Sequence, residues 1–218
     1  MKTKVLKVDE ALNFLKSHGV PVAEFKLVKK FEEASGFVSK VGFPVVLKVV
    51  SPQIIHKTDV GGIYLNIRSK PELQRAFSKV LANVRKKVPE ARIEGFLVQK
   101  MVENGQEIII GSKKDEQFGH AIMFGLGGIF VEVFEDVSLR IVPISRKDAE
   151  EMIKEVKAYK ILKGYRGKKY DVQALIKILL KTSRILEKNS RIKELDINPI
   201  IVLEKGAFAV DARIVLED

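Results

Sequence analysis

The chain has 218 residues, 46% hydrophobic and 31% charged, which is enough apolar material for a substantial core and too much for a disordered segment. Cysteine is absent, which excludes disulfides, thiolate metal sites and a cysteine nucleophile. The net charge of +11 invites a nucleic-acid reading, but the 39 Lys and Arg are interspersed with 28 Asp and Glu and form no basic tail or aromatic RNA-binding motif. The composition therefore argues against nucleic acid and for a solvated surface able to steer small anions such as nucleotides, coenzyme A or phosphate.

No apolar run approaches the ~18 residues of a membrane helix, and the opening MKTKVLKVDEALNFLKSHG lacks an apolar h-region and a small-residue cleavage site. The expectation is a cytoplasmic protein with no membrane segment. Missing Cys, only four Met and abundant Lys and Glu also fit a thermophilic source.

In chain order, Asp9 is placed to cap a short helix through His18, with Leu12 and Leu15 inward and Gly19 as the stop. GVPVAEFKLV reads as a turn into a strand, 31–41 as a helix, and Val45 to Val50 as a strand. Ile63 to Ile67 alternates like a strand, and Pro71 opens a helix carrying Leu73, Phe77, Val80, Leu81 and Val84 on one side and ending near Val88. Further strands are expected over 93–101, 106–111, 121–124 and 137–143, then helices over 146–156 and 171–187, and two closing strands. Helices and strands mix without strict alternation, so the expected fold class is α+β, in two lobes spanning 1–98 and 99–218.

Lys48 sits mid-run among Val and Leu, where an ammonium must meet a carboxylate, reach solvent or contact an anionic ligand. The loop 51–62, SPQIIHKTDVGG, follows directly and gathers hydroxyls, His56, Lys57, Gly61 and Gly62. These are phosphate-handling types: glycines let backbone N–H groups approach phosphate oxygens, Lys supplies charge and hydroxyls donate hydrogen bonds. The loop lacks the spacing of a P-loop or Rossmann turn, and an ordinary surface turn is the plain alternative. An imidazole can attack phosphorus, so His56 is a candidate nucleophile, whereas His18 and His120 read as structural or surface residues.

The end of the chain permits a geometric argument. A hairpin centred between Glu204 and Lys205 sets Asn198 across from Asp211, with Cβ atoms roughly 5 Å apart. An amide oxygen and a carboxylate at that separation suit Mg²⁺, which takes a few protein ligands together with nucleotide phosphates. The same register sets Asp196 against Arg213, read as a structural ion pair. A three-residue loop would shift the register by one, and Pro199 suggests an edge position or a strand start. The Gly125-Leu126-Gly127-Gly128 run, followed by Glu132 and Arg140, reads most simply as close packing.

Together the segments GFPVVLKVVSPQIIHKTDVGG, GFLVQKMV, GQEIIIGSKKDEQFG, MFGLGGIFVEVFEDVSLRIVPI, LKGYRG and ELDINPIIV with VDARI resemble the ATP-grasp superfamily. More closely they resemble the ATP-grasp (β) subunit of ADP-forming acyl-CoA synthetases. The resemblance covers nearly the whole chain and implies an ATP-grasp fold, two lobes with the nucleotide cleft between them. It implies that Lys48 touches nucleotide phosphates beneath the loop of His56, Gly61 and Gly62. Gln99, Lys100, Met101 and Val102 match the adenine-reading hinge, Glu107 the acidic residue near the ribose, and Asn198 and Asp211 the Mg²⁺ ligands. The implied reaction is acyl-CoA plus ADP and phosphate going to acid, CoA and ATP, with His56 resembling a family histidine that relays the phosphoryl group. The implied partner is an α subunit that binds CoA and carries its own phosphohistidine, usually in an α₂β₂ assembly. A succinyl-CoA synthetase-like subunit or another ATP-grasp ligase, and a non-enzymatic basic nucleotide- or nucleic-acid-binding module, are the competing readings.

Overall fold

A computed structural model of the protein describes residues 3–54, 56–127, 135–157, 159–164, 167 and 169–217. The chain divides into two compact units, residues 23–101 and residues 1–22 with 102–218. The first 22 residues belong with the C-terminal part. Strand β1 (Thr3–Val5) pairs antiparallel with the last strand, helix α1 (Val8–Ser17) packs on that same strand, and the Pro21 carbonyl accepts from the Ala209 N–H at 2.9 Å. Helix α1 is capped two residues earlier than its sequence suggests: Lys7, not Asp9, is the N-cap, and its N–H donates to Glu10 Oε2 at 3.0 Å.

The smaller unit is a four-stranded antiparallel sheet in the order β2 (Phe25–Val28), β5 (Gly95–Lys100), β3 (Val45–Val50), β4 (Ile63–Ile67). Helices α2 (Phe31–Val41) and α3 (Lys70–Lys87) cover one face. The core there comprises Val45, Leu47, Val49, Phe96 and Val98 from the sheet with Ala34, Val38, Leu73, Val80 and Val84 from the helices. Strand alternation then turns Val46, Lys48, Leu97 and Gln99 to the opposite face. Ser69 caps α3 by accepting from the Glu72 N–H, and Leu81, expected inside, is exposed.

The larger unit is built on a sheet in the order β1, β11 (Arg213–Glu217), β9 (Ile192–Val202), β6 (Gln106–Asp115), β7 (Gly119–Leu126), β8 (Val137–Ile141), with β10 (Ala207–Ala209) also paired to β9. Helix α4 (Arg146–Glu155) packs on β7 and β8 and against α6 (Val172–Lys188); the short α5 (Tyr159–Gly164) lies between them in sequence. Asp171 caps α6 by accepting from the Ala174 N–H at 2.9 Å. All these strand pairs are antiparallel, as an α+β fold requires. Three strands, not two, close the chain.

His120, expected in a turn, lies inside β7 opposite Lys114 and is 8% exposed, with no hydrogen-bond partner for either ring nitrogen among the described residues. Burial, and then the charge of Lys114, hold its pKa below the usual imidazole value, while Glu217 acts the other way. A depressed histidine pKa contributes stability that is present above its unfolded value and lost as pH falls through the folded one. Urea unfolding should therefore show wild type losing more stability than His120→Leu between pH 7.5 and pH 5; equal losses would contradict the assignment.

Candidate nucleotide and metal site

In the smaller unit Lys48 is paired with Leu97 on β5 and Ile63 on β4, only 5% exposed, on the sheet face turned away from α2 and α3. Gln99 shares that face two residues along β5 and is 1% exposed, its Nε2 without a partner among the described residues. A buried amide donor with no acceptor is costly, and a ligand carbonyl or phosphate oxygen would satisfy it. The Lys100 side chain is otherwise engaged, donating to the Phe43 carbonyl at 2.7 Å, and the Met101 N–H donates to Pro44 at 3.1 Å.

The loop after β3 is a series of tight turns. The Gly62 N–H donates to the Lys57 carbonyl at 2.7 Å, the Gly61 N–H to Thr58 at 3.0 Å, and the Val49 N–H to Gly62 at 2.8 Å. Gly61 adopts φ +65°, and a Cβ on Gly62 would stand 2.6 Å from Val49 Cγ1, so both glycines are required by the backbone path. Exposed His56 stands in this loop, and Ile55 lies outside the described residues.

The C-terminal register matches the hairpin argument. Ala207 faces Val202, Ala209 faces Ile200 and Arg213 faces Asp196. Between them the Asn198 N–H donates to the Asp211 carbonyl at 3.2 Å, placing the two residues side by side. Pro199 is neither at an edge nor at a strand start: it lies within β9, flanked by β6 and β10, where the β6 ladder slips near Ile108 and requires no donor from it. Its carbonyl accepts from the Val210 N–H at 3.1 Å.

Asp196 departs from its expected role. The Arg213 guanidinium bonds Glu194 at 3.3 Å instead, leaving Asp196 Oδ1 buried without a hydrogen-bond partner among the described residues. Burial raises its pKa to about 6; Arg213 opposes the rise and Asp211 adds to it. Asp196 lies two residues before Asn198 on β9 and opposite Gly111, so three oxygen-bearing side chains fall on a short stretch of paired strands. Glu107 lies on β6 opposite Ile201, exposed, with its carbonyl accepting from the Gly127 N–H at 3.0 Å.

Among the described residues no three His, Asp or Glu side chains form a metal cage. A pair such as Asn198 and Asp211 fits a cation that completes its octahedron with phosphate oxygens and water. The glycine-rich run is accounted for by packing: a Cβ on Gly125 would meet Val137 Cγ1 at 2.9 Å, and one on Gly127 would meet Glu107 Cβ at 3.1 Å. Gly128 and Glu132 lie outside the described residues, and Arg140 pairs with Glu155.

The ATP-grasp domain model matches residues 1–216. The chain belongs to the ATP-grasp family. It is 49% identical over 208 residues to an acetate–CoA ligase [ADP-forming] I subunit beta of Pyrococcus furiosus, covering 95% of this chain and 90% of that one. Identity is also 49% to acetate–CoA ligase [ADP-forming] I of Archaeoglobus fulgidus, of which this chain spans only 30%. The fold superposes on the acetyl-coenzyme A synthetase 1 of Ca. Korarchaeum cryptofilum in complex with coenzyme A and Ca-AMPCP, with a TM-score of 0.95 and 51% identity, covering 98% of this chain and 94% of that one. Another structure of that enzyme, with Mg-AMPPCP and its phosphohistidine segment pointing towards the nucleotide binding site, matches at a TM-score of 0.86 and 46% identity, over 98% of this chain and 93% of that one. No helix among the described residues is long and apolar enough to cross a membrane.

A carboxylate whose folded pKa is raised contributes stability that is complete below its unfolded value, near 3.8, and is lost as pH rises through about 6. In magnesium-free buffer Asp196→Asn should therefore stabilise the chain at pH 8 by about 1–3 kcal/mol and by almost nothing at pH 4. Chemical denaturation at both pH values checks this; equal effects at the two would contradict it.

Proposed function

We propose that this chain is the nucleotide-binding β subunit of an ADP-forming acyl-CoA synthetase, acting with an α subunit that binds CoA and carries a phosphohistidine, in an α₂β₂ assembly. The carrying observation is the pairing of Asn198 with Asp211, in a chain that matches 90% of the length of an ADP-forming β subunit. The overall reaction is acyl-CoA plus ADP and phosphate giving acid, CoA and ATP.

In this reading Asn198 and Asp211 hold Mg²⁺, which when bound neutralises phosphate charge and aligns the phosphates. Lys48 contributes a second positive charge from a desolvated position, where its attraction for phosphate is stronger than in water. Gly61 and Gly62 let the loop backbone approach the phosphates. Gln99, Lys100, Met101 and Val102 form the hinge, backbone groups of its last residues reading adenine, and Glu107 lies near the ribose. His56 takes the phosphoryl group from the partner's phosphohistidine, one N–P bond forming as another breaks, and gives it to the terminal oxygen of ADP. Transfer of this kind depends chiefly on positioning and charge neutralisation.

Calorimetry should show ADP binding only with Mg²⁺ present, weakened about tenfold or more in Lys48→Ala, as expected on removing a charge-assisted contact. Binding that is indifferent to both would sink the assignment. In the complex with the partner subunit, His56→Ala should reduce ATP formation at least ~100-fold, on the scale of losing a covalent step, while leaving Mg·ADP affinity within about twofold. Undiminished turnover would favour a conventional ATP-grasp ligase, which needs no histidine there.

A further inference from the structure

The loop bearing His56 is tied to helix α3 at two places. Asn83 Nδ2 donates to the Gly61 carbonyl at 3.2 Å, and Lys87 Nζ donates to the Asp59 carbonyl at 2.5 Å. The two donors stand four residues apart on α3, hence on one helical face. The intervening Val84 is fully buried in the unit's core, as is Val80 one turn before it, so the helix presenting these donors is fixed by packing. Contact is close enough to constrain the sequence: a Cβ on Gly61 would stand 2.7 Å from Asn83 Nδ2. At its start the loop is held separately, with Gln53 Oε1 accepting from the Ser51 hydroxyl at 3.1 Å and the Arg92 N–H at 3.2 Å. His56 stands between the two attachments.

We propose that Asn83 and Lys87 are positioning residues for phosphoryl transfer, holding the backbone of 59–61 so that His56 and the glycine turn keep one placement during the reaction. This deepens the reading of the loop given above and rests on it. A loop that must receive and hand on a phosphoryl group gains from being fixed beforehand, because reorganisation at the moment of transfer adds to the barrier. Neither residue touches substrate in this account. Both act through main-chain carbonyls, so their loss leaves every phosphate-handling side chain in the protein.

The experiment compares Asn83→Ala, Asn83→Asp and Lys87→Ala with wild type in two measurements. Hydrogen–deuterium exchange on the full chain reports whether amides of 57–62 lose protection, and steady-state ATP formation in the complex with the partner subunit separates kcat from KM for ADP. Asn83→Asp keeps the size of the side chain but, ionised, cannot donate. The expected result is faster exchange confined to the loop in all three variants. Turnover should fall about tenfold with KM for ADP within about twofold, as for loss of alignment without loss of ground-state binding. Lys87 is exposed and its replacement leaves the core intact, so it keeps the test decisive if Asn83 variants fold poorly. Unchanged turnover, with or without faster exchange, would overturn the proposal, as would a rise in KM for ADP at constant kcat. If His56→Ala itself turns over like wild type, the reading of the loop fails first, and that outcome is distinguishable because it does not involve α3.

Discussion

Strand β9 hydrogen-bonds to β6 along one edge and to β10 and β11 along the other, and the organisation of the larger unit depends on that pairing. Its inward residues Leu195 and Ile197 are 1% and 0% exposed, which makes a register slip prohibitive, since a one-residue shift would send them to the opposite face. The fixed register then sets Asn198 beside Asp211 at no additional cost. Asp196 on the same strand is held in a partly desolvated place, its Oδ1 without a hydrogen-bond partner among the described residues, and burial raises its pKa. A carboxylate kept in that condition is a source of instability that the apolar pairing around it outweighs.

The smaller unit follows the same division of labour by a different route. One face of its sheet is given to α2 and α3 and supplies the core; the other carries Lys48 and Gln99, polar groups that packing alone does not explain. Strand β3 runs straight into the loop of His56, Gly61 and Gly62, so the charged side chain and the glycine turn are placed by one element. Strand alternation thus separates what folds the sheet from what is proposed to bind the nucleotide. Helix α3 serves both purposes, since its apolar side packs on the sheet while Asn83 and Lys87 reach the loop.

Much of this was legible in the sequence wherever local periodicity and tertiary burial agree. The stretches 31–41, 45–50 and 63–67 fold as their patterns predict, and the C-terminal hairpin has the register expected from a turn at Glu204-Lys205. What escaped reading was non-local. Nothing in Thr3 to Val5 reveals that they pair with β11, because that pairing joins opposite ends of the chain. The link of Asn83 to Gly61 and the choice of Glu194 over Asp196 by Arg213 are side-chain decisions made only once helices and strands are assembled. Pro199 misled because a proline signals an edge unless a slip in the ladder removes the need for its donor. His120 was read as a turn residue because β7 begins earlier than its apolar run.

The most direct test of the proposed function is electron paramagnetic resonance of Mn²⁺, standing in for Mg²⁺, titrated into the full chain with and without ADP, for wild type, Asn198→Ala and Asp211→Ala. The account predicts that wild type binds Mn²⁺ tightly only when ADP is present, because two protein ligands need phosphate oxygens to complete the coordination, and that each variant loses this nucleotide-dependent binding. Tight Mn²⁺ binding without ADP, or ADP-dependent binding undiminished in both variants, would contradict it.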